Sequence, residues 1–541
     1  MASDDIDYRV INTDNKWKIL RIHWRYSWWA IWVSFGTIMQ GFDNVCNSTI
    51  IGMEAFKRQF GQPDPTGAYY IPARYLGGWQ GTMQAGTLIG AFAAGWLMDS
   101  PKIGRKRTIL LACSVSCVGV GIQYASHNWK VYIVGKLING LAIGIWFTAA
   151  PTWIGENARP ECRGLFLCLY NSTIVFGQAL VTFVGQGAVR IEGRWSYGLC
   201  ILLQMMFPAV GFAGYCFFAE SPHYLLKMNR VEEAKRALRK IYSSRHQAFL
   251  DIELVRLQEE VEFSAALKEA ARVNGRNPLW QCWQGANAVR TATAIFISAG
   301  QQLMGASFVL GYLTYFLELI GITNSFKFSA GLFVVMLVST TSAFFLIEVF
   351  GRRNILIAPS FILVFILLII GIMGCIHNKT ASGDVIVAMI YLWGAVYQFS
   401  VGATGFAVAS EVSTLPLRTH TQAYIVATDA FFGWLIGFIV PYLINPHPDG
   451  ANLGGKVGFV FFGSGLLIAI GFFYLVPDSR GLSFDELDYL YTNKVTPRKF
   501  QQALSDRQDQ SEGLELVVNG KTLIAQVEHA NTKGTVGSKK A

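Results

Sequence analysis

Two stretches of the sequence, ENARPECR at residues 156–163 and EVSTLPLR at residues 411–418, share one pattern. In each, a glutamate precedes an arginine by seven residues, and the second copy lies 255 residues after the first. Two other pairs recur in the same order: DSPKIGRKR at 99–107 with EVFGRRN at 348–354, and AESP at 219–222 with PDSRG at 477–481. Motifs repeated in this way predict a chain built from two related halves.

The composition of the chain is that of a membrane protein. Of its 541 residues, 52% are hydrophobic and only 15% are charged, and the mean hydropathy is +0.35. Soluble domains carry about 25% charged residues, so this chain has too few to cover its surface in water. The net charge of +10 collects in short connectors, as the positive-inside rule requires. This placement indicates membrane topology and not nucleic-acid binding. The sequence also contains no group of catalytic nucleophile, metal-ligand or phosphate-binding residues that would indicate an enzyme.

Twelve apolar runs are long enough to form transmembrane helices, which need about 20 residues. The runs lie at roughly 27–52, 79–98, 108–126, 131–155, 165–187, 197–218, 291–317, 328–350, 354–376, 384–409, 421–444 and 456–476. Because Lys and Arg cluster in the connectors on one side of this even-numbered topology, we predict that both termini are cytoplasmic. The predicted fold class is an all-α integral membrane protein with twelve transmembrane helices in two six-helix bundles. Its predicted divisions are a cytoplasmic segment at 1–26, bundles at 27–226 and 291–490, a cytoplasmic helical loop at 227–290 and a disordered tail at 491–541.

Seven motifs at the ends of these runs resemble those of the sugar porters, a family of the major facilitator superfamily. They are GWLMDSPKIGRKR at 95–107, PTWIGENARPECRG at 151–164, AESPHYLL at 219–226, GQQLMGASF at 300–308, EVFGRRN at 348–354, ASEVSTLPLRT at 409–419 and VPDSRGLSFDEL at 476–487. The stretch GASFVLGYLTYFLELIG at 305–321 is most similar to the fungal α-glucoside permeases. The resemblance implies the major facilitator fold and a secondary active transporter that takes up a sugar with protons by alternating access.

Charged residues of the cytoplasmic motifs are candidates for ion pairs that clamp the two halves together in one conformation. These candidates are Asp99, Arg105, Glu156, Arg163, Glu348, Arg352, Glu411 and Arg418. The alternative is that such charges only anchor helix ends. Asp99 and Gly104 are five residues apart where the family usually has three, so we expect the first clamp to be reshaped.

Asp43 is the only charged residue in the first apolar run, and Lys136 is the only one in the fourth. The two runs cross in opposite directions, which brings both residues to a similar depth. An ionised carboxylate at membrane depth is costly, so it usually has a partner or faces a cavity. The family resemblance implies that Asp43 carries the coupling proton and that Lys136 stands where the family has Arg. The alternatives are a static ion pair and an aspartate wetted by the outer vestibule.

Three glutamines at mid-depth suit a polyhydroxylated ligand, because amides both donate to and accept from hydroxyls. They are Gln178, Gln301 and Gln302, and the resemblance implies that they bind sugar; the alternative is that they bridge helices. Other family pocket positions differ and hold Ser307, Gly311 with Tyr312 beside it, Met336 and Phe406. Of these residues, Ser307, Tyr312 and Phe406 are further candidates to bind the substrate. These changes make the second half of the pocket less polar.

Asp429 stands where sugar porters usually have Asn or Gln, about eleven residues into its apolar run. It is a candidate to bind a substrate hydroxyl, to accept a second proton or to attract a basic ligand. The alternative is that it pairs with a polar group on a neighbouring helix.

The leading functional prediction is proton-coupled uptake of a sugar, an α-glucoside or other oligosaccharide. The alternatives are an exporter of a small metabolite and a sugar sensor. We expect a sugar or polyol-like substrate, no cofactor besides the coupling proton, no bound metal and a functional monomer in the plasma membrane. Asn378 starts a glycosylation sequon in a predicted external loop.

Overall fold

The computed structural model describes residues 24–503, apart from short gaps at 64–66, 68, 158–159, 243–246, 274–277, 323, 377–378, 415–416, 447–449 and 478–483. All twelve predicted apolar runs are helical within these residues, and they are numbered here as spans 1 to 12. Nine helical segments of the described chain are long and apolar enough to cross a membrane. The architecture is therefore the predicted all-α membrane fold.

The first half contains spans 1 to 6. Their helices are Trp24–Val33 with Phe35–Ile51, Ala73–Asp99, Gly104–Ala125, Trp129–Asn157, Pro160–Ala188, and Trp195–Leu203 with Met206–Tyr215. A short helix, Glu54–Phe60, and two paired strands, Gln62–Pro63 and Tyr69–Tyr70, connect spans 1 and 2. The side of the bundle that carries this strand pair is called the hairpin side below.

The second half contains spans 7 to 12. Their helices are Gly285–Leu303 with Ala306–Leu319, Ser325–Phe350, Arg352–Met373, Lys379–Tyr397 with the π-helical turn Gln398–Gly402 and Ala403–Glu411, Arg418–Ile444, and Val457–Leu475. The 3-10 turn Gly454–Lys456 precedes span 12.

Four helices between the halves define the other face, called the linker side. They are Pro222–Lys227, Val231–Tyr242, Gln247–Val273 and Pro278–Gln281. Helix Val231–Tyr242 buries Ala234, Leu238 and Ile241, residues three or four apart, so its apolar stripe packs on the first half while its charged face stays outside. Span 7 begins at Gly285, six residues before the predicted boundary at 291.

Glycines allow close helix packing in the first half. A Cβ at Gly140 in span 4 or at Gly86 in span 2 would overlap the backbone of the other helix. Gly41 in span 1 and Gly177 in span 5 have the same reciprocal relation. Small residues at such positions let membrane helices approach and gain dispersion contacts. Spans 1 and 4, which carry the predicted ion pair, therefore belong to one tightly packed bundle.

Span 7 is broken in the middle. Its first helix ends at Leu303, and Gly305 has φ +97°, a left-handed conformation that a glycine adopts without strain. Non-helical backbone at membrane depth occurs where it is buried in protein or lines a cavity. The break separates Gln302 from Ser307 along the chain, yet the turn brings their side chains together, as described below.

The two halves are joined on the hairpin side. Lys57 pairs with Glu318, the Thr314 N–H donates to Ser48 Oγ over 3.1 Å, and Asn445 Nδ2 donates to the Ile71 carbonyl over 3.0 Å. The largest cluster of buried apolar residues also contains members of both halves. On the linker side, in contrast, the described apolar residues of the first half form a separate cluster with the connecting helices.

The described chain continues past the predicted division at residue 491. Helix Phe484–Thr492 and the 3-10 turn Pro497–Lys499 continue past it, and Phe500 is fully buried. Its ring lies 5.1 Å from that of Tyr491, in a small apolar cluster with Val412. Isolated apolar residues in a polar stretch give no periodic signal, so only the tertiary contact shows that this segment packs.

Candidate functional site

The membrane core of the first half contains a buried ion pair. Lys136 Nζ donates to Asp43 Oδ1 over 2.7 Å, and both side chains are 0% exposed. This confirms the contact predicted between spans 1 and 4. Two ions removed from water are compensated only when their geometry is good, and here the second carboxylate oxygen has no hydrogen-bond partner in the described part of the chain.

A chain of polar side chains leads away from this pair. Lys136 Nζ lies 5.8 Å from the centre of the Tyr132 ring, and the Tyr132 hydroxyl is 3.4 Å from Asn47 Oδ1, to which it donates. Asn47 Nδ2 in turn donates to Gln80 Oε1 over 3.2 Å. Sequence analysis missed these three residues, although helical spacing could have found two of them. Asn47 follows Asp43 by four residues and Tyr132 precedes Lys136 by four, so each shares a helix face with its charged neighbour.

The polar chain ends at the boundary between the halves. A Cβ placed on Gly437 of span 11 would lie 2.9 Å from Gln80 Cγ, so the glutamine packs directly on that glycine. From the other side, the Tyr312 hydroxyl donates to the Gly437 carbonyl over 2.7 Å, and Tyr312 is fully buried. Tyr312 therefore ties span 7 to span 11 in this conformation, and its binding of substrate stays a prediction.

The second half contains its own polar cluster. Ser307 Oγ donates to Gln302 Oε1 over 2.6 Å, and Gln302 Nε2 donates to Asp429 Oδ1 over 2.8 Å. All three side chains are partly exposed, although Asp429 lies near the middle of the 27-residue span 11. An ionised carboxylate at the centre of a membrane helix costs about 3 kcal/mol, so this position needs a polar environment. The contact with Gln302 provides part of it.

Two more amides lie near this cluster. Gln301 Nε2 donates to the Val401 carbonyl in the π-helical turn of span 10 over 3.0 Å. Gln84 of span 2, which the sequence analysis did not single out, reaches the cluster from the other half. A Cβ on Gly433 would lie 3.7 Å from the Gln84 amide and 3.9 Å from Gln302 Cδ. Gln84 is one helical turn from Gln80, so both glutamines point from span 2 at span 11.

Some buried polar atoms have no partner among the described residues. Gln178 Oε1 is one of them, and Trp393 Nε1 in span 10 is another. The Trp393 ring is stacked on Tyr397 with centroids 4.6 Å apart. A buried donor or acceptor without a hydrogen bond is costly, so these atoms are candidates to bind a ligand or water. Met336 is fully buried, and the side chain of Phe406 lies outside the described residues.

The linker side contains a cluster of predicted clamp residues. Arg105 Nε lies 3.1 and 3.0 Å from the two carboxylate oxygens of Glu156, and Ser221 Oγ donates to Glu156 Oε2 over 2.6 Å. Asp99 accepts from Lys227 Nζ over 3.0 Å and lies 3.9 Å from the Arg105 guanidinium. All of these residues belong to the first half or to the helix that follows it, so this part of the cluster holds one half together.

Glu220 completes the cluster by binding backbone. Its carboxylate accepts the N–H groups of Arg105, Lys106 and Ser221 over 3.0 to 3.2 Å. Burial raises the pKa of the Glu220 carboxyl, and these three donors oppose that shift. Gly104, with φ +70°, lies against Glu220 and turns the longer loop so that two of the donors face it. The loop after Asp99 is thus held to Glu220 through its backbone N–H groups.

The remaining predicted residues fall partly outside the described chain. The side chains of Arg163, Glu348, Glu411 and Arg418, and all of Asn378, are not described. Arg352 begins span 9, and its neighbour Arg353 Nη2 donates to the Phe473 carbonyl over 2.7 Å. A clamp between the two halves on the linker side thus remains a prediction.

Comparison with known proteins then decides the family. A sequence profile described as sugar (and other) transporter matches residues 29–491. The chain belongs to this family. It is a multi-pass membrane transporter of the major facilitator superfamily and not an enzyme, in agreement with the repeats, the helices and the site described above.

Related proteins of this family have different named roles. The major facilitator-type transporter ecdD of Aspergillus rugulosus is 27% identical over 475 residues, which are 85% of this chain and 86% of ecdD. The low-affinity glucose transporter HXT3 of Saccharomyces cerevisiae is 28% identical over 87% of this chain and 82% of HXT3. The high glucose sensor RGT2 of the same yeast is 27% identical over 88% of this chain, but the chain spans only 62% of RGT2.

The fold is shared with solved transporters. The proton:xylose symporter XylE bound to 6-bromo-6-deoxy-D-glucose superposes with a TM-score of 0.67 at 18% identity, over 87% of this chain and 99% of XylE. An inward-open structure of XylE from E. coli gives the same TM-score of 0.67 over 85% of this chain. At this level of identity the likeness establishes the fold alone.

Proposed function

We propose that this transporter moves a sugar across the membrane by alternating access and that protons drive it. The observation that carries the proposal is the Asp43–Lys136 pair, a charge-balanced acid and base in the membrane core. A proton on Asp43 removes its charge and weakens the bond to Lys136. Loading and release of that proton would therefore change how span 1 is held against span 4.

The polar chain through Asn47 and Gln80 offers a physical link from this pair to the other half. Gln80 packs on Gly437, and Tyr312 is bonded to the same glycine. A change in the position of span 1 would thus alter the contacts of spans 7 and 11. Such a contiguous set of packed polar groups supports coupling between sites when it has two arrangements.

A sugar substrate suits the amides around the boundary between the halves. Gln84, Gln178, Gln301 and Gln302 offer donors and acceptors in a largely apolar bundle, which is typical of sites for polyhydroxylated ligands. The similarity to the glucose transporter HXT3 and to the xylose symporter XylE supports a sugar substrate. The likeness of residues 305–321 to α-glucoside permeases favours an α-glucoside or another oligosaccharide.

We further propose that the linker side faces the cytoplasm, because the basic connectors lie there. The halves are then joined on the outer side, and the structure corresponds to an inward-facing state. A monomer in the plasma membrane, glycosylated at Asn378, completes the proposal.

Uptake by a transporter-deficient yeast tests this function. Cells that produce the wild type or Asp43→Asn are given radiolabelled maltose, sucrose, trehalose, raffinose or glucose, with and without a protonophore. We expect saturable uptake of at least one sugar, lost with the protonophore and with Asp43→Asn. Surface labelling of both proteins is the control. No uptake of any of the five sugars by wild-type protein at the cell surface would contradict the proposal.

A second candidate function is export of a small metabolite. The apolar residues Met336 and Phe406 at pocket positions favour it, because they reduce the number of partners for sugar hydroxyls. Uptake into inverted vesicles, whose lumen corresponds to the cell exterior, would measure transport in the export direction. A sugar sensor is a further alternative, because the chain is 27% identical to the glucose sensor RGT2 over 62% of that protein's length.

A further inference from the structure

We propose that Asp429 makes the substrate site selective for a cationic sugar, a hexosamine with a protonated amino group, over a neutral one. The inference rests on the proposed function and names a substrate class for the same site. It starts from the contrast between two carboxylates at membrane depth. Lys136 balances the charge of Asp43 at 2.7 Å, whereas among the described residues no cationic side chain pairs with Asp429, whose one hydrogen bond comes from Gln302.

The hydrogen-bond chain orients Asp429 as an acceptor. The Ser307 hydroxyl donates a hydrogen bond to the side-chain carbonyl oxygen of Gln302 over 2.6 Å. The amide nitrogen of Gln302 is thereby directed at Asp429 and donates to its carboxylate over 2.8 Å. An N–H group directed at a carboxylate oxygen makes a charge-assisted bond, stronger than one between neutral groups. The arrangement thus holds the carboxylate in place and leaves its second oxygen for another donor.

The helix face beside Asp429 is bordered by amides and carries no side chain at Gly433. Gly433 is one turn further along span 11, on the same face, and has no side chain. A Cβ there would be 3.7 Å from the Gln84 amide and 3.9 Å from Gln302 Cδ, so two amides border the position from both halves of the protein. Asp429, Gln84 and Gln302 are each partly exposed at this depth.

These groups complement an amino sugar. An ammonium group carries three donors and a positive charge, which would satisfy the second oxygen of Asp429 and balance its charge. The amides of Gln84 and Gln302 would bind the adjacent hydroxyls. A neutral sugar can fill the same space, but it leaves the carboxylate uncompensated in a medium of low dielectric, which is unfavourable.

Equilibrium binding to the purified full-length protein in lipid nanodiscs tests this inference. The probes are glucosamine, glucose and N-acetylglucosamine, at a pH at which the amine of glucosamine is protonated. We expect the wild type to bind glucosamine more tightly than both neutral sugars by about tenfold to a hundredfold. In Asp429→Asn the ratio should fall close to one, and Asp429→Glu should keep a preference for the amine.

Asp384→Asn is the matched control, because it makes the same acid-to-amide change at an exposed position near the start of span 10. It should keep the wild-type ratio, and size-exclusion profiles should show all variants folded. Equal binding of glucosamine and glucose by the wild type, or an unchanged ratio in Asp429→Asn, would overturn the inference and leave sugar transport standing. Failure of the folded wild type to bind any of the three probes would overturn the inference, while the yeast uptake assay judges the proposed function separately.

Discussion

At the scale of single residues, Asp43 and Asp429 show two different environments of a carboxylate at membrane depth. Asp43 lies within 2.7 Å of the Lys136 ammonium, with no exposure to solvent. Asp429 has an amide donor and is partly exposed. The first environment supports the proposed proton exchange at Asp43, and the second supports the proposed binding of a positive ligand at Asp429.

The ion pair should contribute little to the net free energy of unfolding, whereas removal of one partner should be strongly destabilising. Lys136→Met leaves Asp43 buried without its cation, and we expect a loss of about 3–5 kcal/mol in the free energy of unfolding. The double variant Asp43→Asn with Lys136→Met should recover most of that loss, because no lone charge remains. Thermal unfolding of the purified proteins in one detergent measures both effects. A double variant that is less stable than Lys136→Met would contradict this view of the pair.

At the scale of helices, glycine positions determine how closely the spans pack. Spans 2 and 4 approach through Gly86 and Gly140, each of which lies against the backbone of the other helix. Span 7 depends on a glycine for a different reason, since Gly305 permits the left-handed turn that brings Ser307 to Gln302. Helix contacts thus position the polar side chains of the site.

Gly140→Val should separate spans 2 and 4, because its side chain would overlap the backbone of span 2. We expect a destabilisation of about 1–3 kcal/mol or more, seen as a lower melting temperature and a lower yield of monodisperse protein. Gly95→Val in span 2 is the matched control, because a Cβ there meets nothing within 4 Å. Equal melting temperatures for the two variants would count against close packing at Gly140.

At the scale of the whole molecule, the two halves are held together on the hairpin side. The Lys57–Glu318 pair joins the helix after span 1 to the end of span 7, with side-chain exposures of 14% and 34%. Partial burial should make this pair stronger than an exposed one, which contributes about 0–1 kcal/mol. A transporter that alternates must break such contacts when this side opens.

Glu318→Gln should therefore favour opening of the hairpin side. Spin labels at Tyr69→Cys and Lys327→Cys, in a cysteine-free background, report the distance between the halves there. We expect a larger population of long distances than in the parent protein. Glu54→Gln serves as the control, because the exposed Glu54 side chain pairs with Arg58 of the same short helix and makes no ion pair between the halves among the described residues. The same distance distribution in Glu318→Gln and its parent would exclude a gating role for the pair.

Much of this protein follows from the order of its residues. Apolar runs of sufficient length must become helices in a bilayer because backbone groups have no other partners there. The twelve spans can therefore be predicted from the sequence, and the repeated motifs predict the two halves. A single charge in such a run is costly at membrane depth unless it has a partner of opposite charge. Asp43 and Lys136, each alone in its run, therefore predict a contact with each other.

The tertiary structure alone decided what depends on which faces meet. In the sequence, nothing distinguishes Gln80 and Gln84 from other polar residues of an apolar run. The structure shows that span 2 directs them toward Gly437 and Gly433. Tyr312 is directed to a backbone carbonyl, and Phe500 packs beyond the predicted end of the ordered chain. Periodicity and motif spacing describe one helix at a time, whereas these contacts form between helices distant in sequence, and their geometry is set by close packing of the whole bundle.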